Sequence, residues 1–449
     1  MALSSPGIGS GLDVRSIVSQ LVALERRPIE QLQTQKTKLN TQLSSFGLLQ
    51  SYVSNLQSIA GQIGRFDFWS RVSTSSSDAS AVSVVAPAAS GTASYSINVT
   101  NLAVAQSLST GAGFITDAAD IGSGTLTITR GGTPVALTIA PGTSLAALRD
   151  QINAGATGVN AAIVQDSGGP RLVFTASETG TANAVSVTVT AATGQLAGLT
   201  YPGAMAQDRA AANAALSING LPITSASNKL TNVVDGLTLT LSKATTTPVT
   251  VSVGPDTVAL RKGITDFVSA YNDINKYLAT ETRYDETKKI AGALQGDRAA
   301  VSLQGRLRSL LQEPSTASTV YGRLSGLGLE MQRDGSIKVN DTQLDAAMVN
   351  PSEVAKAFST LTTGFGQRFK ALTDGVVGTD GTLTSRSAGL RESIKRNEKD
   401  QQRQEDRVAR VQARLERQYS ALDANLNRLN GLGSYVQQQI TNWNKTGNN

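Results

Sequence analysis

Three hydrophobic periods follow one another along this chain, and their order restricts the fold more than any single motif does. Apolar residues keep helical spacing over 10–64, alternate with period two over 71–255, and return to helical spacing from about 256 onward. In the first segment Val14, Val18 and Leu21 form one stripe, and Asp13, alone or in a capping box with Ser10, signals the helix start. Arg27-Pro28 is expected to break or kink that helix, because proline disfavours α geometry in the residue before it. Leu32, Leu39, Phe46 and Val53 then step by seven, with Leu49, Leu56 and Ile63 at a second seam position and gaps at Gln35 and Gln42. The last segment, 383–445, uses the same device. Ile394, Gln401, Val408, Leu415, Leu422, Leu429 and Val436 step by seven, Val411 and Leu432 hold the second seam, and Gln418 and Asn425 lie between them.

The middle of the chain reads as half-buried antiparallel sheet. Runs such as Ser96–Thr100, Leu126–Thr129, Val185–Thr190, Leu237–Leu241 and Val249–Val253 each present one apolar face and one Thr/Ser face. A short helix interrupts them: Pro141-Gly142 turns the chain, Thr143 or Ser144 caps, Leu145, Leu148 and Ile152 form the stripe, and Gly155 ends it. After the sheet region, Val258, Ile264, Phe267, Val268, Tyr271, Ile274 and Leu278 suit an amphipathic helix. Gly322, Gly326 and Gly328, with Asp334-Gly335, indicate a small loop or hairpin.

An α+β multidomain fold follows, in which long helical, coiled-coil N- and C-terminal segments pack together and bracket an inserted antiparallel β region. A fully buried seam residue contributes about 1.5–3 kcal/mol, which an isolated helix cannot collect, so the outermost helices are expected to gain order from partners.

Composition removes most catalytic classes. The chain has 0 Cys and 0 His. Disulfides, thiolate nucleophiles, the common Zn²⁺ sites and every Ser-His or Cys-His arrangement are thereby excluded. Acidic residues are scattered, so no paired-carboxylate glycosidase site can be nominated. The reading is therefore not an enzyme, with no cofactor and no metal. The formal charge of +6 would suit nucleic acid. Its basic residues, however, concentrate in the C-terminal helix (Arg403, Arg407, Arg410, Arg414), interleaved with Glu405, Asp406 and Glu416. Mixed signs of this kind make a solvated, salt-bridged surface, so no nucleic-acid partner is expected.

Local motifs add little chemistry. Gly7, Gly9 and Gly11 have the look of a phosphate loop, yet a dinucleotide fingerprint must follow a strand that the short preceding stretch cannot supply. Asp334-Gly335 with Asn340-Asp341 offers oxygen ligands without EF-hand spacing, and is read as a turn. The opening MALSSPGIGSGLDV has neither a basic nor an apolar signal-peptide region, and no apolar run is long enough to insert in a membrane.

At several points the residues become specific. The string Gly7–Val14, then Ile17-Val18 and Leu24–Ile29, resembles the opening of the flagellar filament-capping, hook-associated protein 2 family. Leu137–Ile139, Gly142–Leu145, Leu148–Asp150, Arg171–Phe174 and Glu178-Thr179-Gly180 look like the repeat shared by flagellin and hook proteins. Ile218–Gly220, Asp235–Leu241, Ala270–Asn272, Leu294–Asp297, Asp334–Ile337 and Gln418–Leu422 continue the family pattern in order, with Tyr419 where the family tends to Phe.

The resemblance implies a structural cap at the distal tip of the bacterial flagellar filament, needed for flagellin polymerisation and motility. It implies a coiled-coil leg from 1–35 and 396–449, a helical stalk from 36–70 and 256–395, and a two-domain β head. The head would comprise 71–106 with 206–255, and an outer insert at 107–205. Implied partners are further copies in a ring of five subunits (four to six allowed), flagellin, the hook-filament junction proteins, and a cytoplasmic export chaperone at the C-terminal helix. Export would use the flagellar type III pathway without signal cleavage, to an extracellular site. Assembly contacts would fall on the seam residues Val18, Leu21, Leu32, Leu39, Phe46, Ile394, Val408, Val411, Leu415, Leu422, Leu429 and Val436. Two rivals share some of these features: another axial flagellar protein, or a β head acting as an adhesin for host mucin glycans.

Overall fold

A computed structural model describes residues 13–111, 119–234, 236–287 and 289–446. Gly7, Gly9, Ser10 and Gly11 lie outside them. The chain divides into two compact units, one of Met1–Phe66 with Arg261–Asn449, the other of Asp67–Leu260. The fold is α+β, with long helices at both ends and antiparallel sheets between.

In the helical unit, the N-terminal helix runs Val14–Ile63 and the C-terminal helix Thr382–Thr446. Asp13 caps the first of these, accepting from the Ser16 amide at 3.0 Å. The expected break at Pro28 does not occur, and the helix is continuous through it. Proline deprives the Leu24 carbonyl of its donor. Leu24 and Pro28 both face solvent, where water can take that bond. From Phe46 onward one face is completely covered: Phe46, Leu49, Val53, Leu56, Ala60 and Ile63 are each 0% exposed. The helix Phe365–Val377 and the start of the C-terminal helix pack on that face.

Aromatic residues are few in this chain, and several meet at one place. Phe267 lies edge-on to Phe369 at 5.0 Å and to Phe358 at 6.3 Å, with Tyr271 edge-on to Phe369 at 6.3 Å. Tyr271 Oη donates to the Gly335 carbonyl at 3.1 Å. The Asn272 side chain both donates to and accepts from the backbone of Ile337, at 2.8 and 2.7 Å. The Asp334-Gly335 turn belongs to the hairpin Leu329–Met331 and Ile337–Val339, so two motifs distant in sequence form a single contact. Val258 departs from the expected stripe of the Thr257–Glu281 helix. It is 79% exposed, because the buried face begins at Leu260 and Ile264.

The β unit contains two bodies with separate cores. One has a five-stranded antiparallel sheet in the order Val72–Ser76, Val249–Pro255, Ala93–Asn101, Ala214–Ile218, Leu221–Ser225, with a three-stranded sheet of Lys229–Thr231, Thr238–Leu241 and Val82–Val85. Ile97, Val99, Leu216, Leu239 and Val251 fill its core. The other has a four-stranded sheet (Ala206–Arg209, Ser107–Ser109, Gly169–Ala176, Val159–Asp166) and a three-stranded one (Thr133–Ile139, Gly124–Arg130, Val185–Thr190). Its α-helix Leu145–Ala154 is capped by Ser144, which accepts from the Ala147 amide at 3.2 Å, and is closed by Gly155. Leu145, Leu148 and Ile152 are all 0% exposed beneath it.

Candidate assembly surface

The N- and C-terminal helices pair antiparallel. Lys36 Nζ lies 2.8 Å from Glu398 Oε1, Arg407 reaches Glu25 at 3.6 Å, and Gln50 Nε2 donates to Thr384 Oγ1 at 3.4 Å. These contacts set the register, which brings Asp13 opposite roughly residue 420. Asn397, only 4% exposed, forms a polar layer in the seam. It donates to Gln35 Oε1 at 3.3 Å and accepts from Gln401 Nε2 at 2.6 Å.

The seam residues expected from the sequence fall into three groups. Val18, Phe46 and Val408 are buried; Leu21, Leu32, Leu39, Ile394, Val411 and Leu415 are half-buried; Leu422, Leu429 and Val436 face solvent at 45, 60 and 50% exposure. Val18 and Val408 meet in a cluster with Val22 and Ile29, flanked by Leu415 and Tyr419. Val22 and Ile29 were not among the expected positions. The seven-residue row Val18, Glu25, Leu32, Leu39, Phe46 is right, but its companion lies four residues on (Val22, Ile29, Lys36, Leu43) rather than three. The companion moves to three residues on only at Leu49, Leu56 and Ile63. Leu21, expected from the Val14 and Val18 stripe, and the gaps at Gln35 and Gln42 all fall three residues on, at the position the companion does not use here.

The C-terminal helix shifts in the opposite sense. Its buried or half-buried positions run 404, 408, 411, 415, 419, 423 and 426, so consecutive four-residue steps occur at 411–415–419–423. That spacing is a stutter, which locally unwinds the supercoil and rotates the seam by one position. Gln418 and Asn425 are therefore exposed and off the seam, correcting the expectation for both, while Tyr419 and Leu426 are half-buried in their place. Beyond it, Leu422, Leu429, Val436, Ile440 and Trp443 continue a three-four stripe toward solvent.

A groove of ≈ 670 Å³ opens where the two helices pair, walled by Arg15, Val18, Val22, Arg26, Gln412 and Glu416. Together with the stripe, it can seat another helix by its apolar face. Among the described residues no group of three or more acidic side chains could hold a metal, and no helix is long and apolar enough to cross a membrane.

Comparisons with known proteins agree with this layout along its length. The "Flagellar hook-associated protein 2 N-terminus" model matches residues 10–106, its "C-terminus" counterpart 211–431, and the "Flagellin hook IN motif" 125–178. The A-type flagellar hook-associated protein 2 of Pseudomonas aeruginosa is 30% identical over 97% of this chain and 96% of its own. The chain belongs to the flagellar hook-associated protein 2 family. The family's Escherichia coli K12 member is 29% identical over 98% of both chains. The crystal structure of the flagellar cap protein FliD D1-D2-D3 domains from Escherichia coli matches with a TM-score of 0.62 and 28% identity, covering 77% of this chain and 99% of that one.

Proposed function

We propose that this hook-associated protein 2 family member forms the cap at the distal tip of a flagellar filament, where it promotes flagellin polymerisation and prevents loss of exported monomers. It acts as a homo-oligomeric ring of five copies, by docking and steric control, without covalent chemistry. It first seats on the hook-filament junction proteins. It reaches the extracellular tip through the flagellar type III pathway, with a cytoplasmic chaperone covering the C-terminal helix before export.

The observation that carries this reading is the apolar stripe Leu422, Leu429, Val436 and Ile440, 45–60% exposed on the C-terminal helix. A contiguous solvent-facing stripe of this kind is the mark of a protein interaction site. The segments 1–35 and 396–449 act as the leg that inserts into the growing end. Segments 36–70 and 256–395 form the stalk, and 71–255 the head, with 107–205 as its outer part. Both helices run unbroken through 35/36 and 395/396, but complete burial of the first helix begins only at Phe46.

The test is deletion of the gene in a motile strain. The expected result is flagellin monomer in the medium and short or absent filaments, restored by the full chain and not by residues 71–380. Filaments of normal length in the deletion strain would overturn the proposal.

A further inference from the structure

The two β bodies of the inserted unit are joined by two chain crossings, 102–106 outward and 210–213 on the return. Bodies linked in this way ordinarily move relative to one another unless a substantial interface prevents it. Here both crossings are fastened to each other and to the body that contains Ala93–Asn101. The Val104 amide donates to the Ala212 carbonyl at 2.8 Å, and the Ala212 amide donates back at 3.1 Å. Asn228 clasps Ala103, donating to its carbonyl and accepting from its amide, each at 2.8 Å. Asn101 Nδ2 donates to the Asn213 carbonyl at 2.7 Å.

The other body adds the turn that follows its strand Gly169–Ala176. Thr179 Oγ1 donates to the Ala226 carbonyl at 2.6 Å. Asn213 Oδ1 accepts from both the amide and the hydroxyl of Thr181, at 2.8 and 3.2 Å. The Gly180 amide donates to the Val104 carbonyl at 3.2 Å. Gly180 has φ +97°, and a Cβ there would lie 2.6 Å from both Cα and Cβ of Ala226. Only glycine permits that approach. Thr179 and Gly180 belong to the Glu178-Thr179-Gly180 motif noted in the sequence, which the cap function leaves without a role.

We propose that the Thr179-Gly180-Thr181 turn is a keystone that locks the two β bodies into one rigid piece, so that displacement of one carries the other. A turn serving only its own body would bond within 107–205, as it does where Asn183 donates to the Thr179 and Gly180 carbonyls. Ala226 lies across the junction instead, and Asn213 on the returning crossing. The inference stands independently of the cap reading.

The chain has 0 Cys, so Ser167→Cys and Thr247→Cys, both at exposed positions on different bodies, give two unique spin-labelling sites in the full-length protein. The expected parent result is one narrow distance distribution. Adding Thr179→Val with Asn213→Ala widens it about twofold and speeds amide exchange at Gly180 and Thr181, with the circular dichroism spectrum unchanged. Thr179→Val alone, which keeps the side-chain shape, covers the case in which the double change does not fold. A broad parent distribution, or a folded variant as narrow as the parent, would overturn the proposal.

Discussion

Replacing Asn397 with leucine tests whether the polar layer is there to stabilise the paired helices or to keep their association weak. Asn397 is 4% exposed, and its two hydrogen bonds, to Gln35 and from Gln401, contribute about 1 kcal/mol each. A leucine at that depth gains about 1.5–3 kcal/mol from burial. Gln35 is exposed and Gln401 half-buried, so both can turn to water when the asparagine goes, at little cost. The balance lies between a loss of about 0.5 and a gain of about 1 kcal/mol, the gain being reached when the leucine is fully packed. Register is not at stake, because Lys36 with Glu398 and Gln50 with Thr384 hold the alignment of the two helices on the side of Asn397 toward the stalk. Hydrogen exchange is the direct assay, since it reads local opening of the paired segments. Asn397→Leu is expected to slow exchange of amides near 25–35 and 397–408 by up to about fivefold and to shorten filaments in cells. Exchange that quickens by a similar factor would show the amide layer to be a net stabiliser, and the reasoning would fail.

Three further outcomes follow from the packing. Burial pushes the Tyr271 hydroxyl up to about 12, so the neutral form is favoured in the folded state. The resulting ~2–3 kcal/mol is fully present below pH ~10 and is lost as pH rises toward 12. Tyr271→Phe should flatten that decline in urea titrations across this range, and an unchanged slope would contradict the assignment. Leu429→Glu with Val436→Glu, both at exposed positions, should change the melting free energy of the helical unit by less than about 0.5 kcal/mol while abolishing long filaments; normal filaments by electron microscopy would remove the stripe from the assembly surface. Leu148→Ala, under the short helix and 0% exposed, should cost about 2–5 kcal/mol in thermal melts of the β unit, and a loss below about 1 kcal/mol would mean that core is not close-packed.

How much of this was legible in the sequence depends on how local each feature is. Caps and turn residues act within a few residues, so Asp13, Ser144 and Gly155 were readable. The strand runs were readable because alternation over a few residues is enough to specify one buried face. Proline at 28 misled, because whether a helix survives it depends on where the orphaned carbonyl points, which no local pattern records. The seam companions misled for a similar reason. A seven-residue row has neighbours both three and four residues on, and either completes a stripe.

The sequence by itself determined the order of helix, sheet and helix, the heptad rows at both ends, and the absence of thiol and imidazole chemistry. Tertiary structure alone decided which side of each row is covered, where the stutter at 411–415–419 rotates the seam, and that Tyr271 and Asn272 meet the Gly335 turn. Periodicity specifies the face of a helix to within one neighbouring position. The element that crosses that face chooses between the neighbours, and its place is set by contacts from distant parts of the chain.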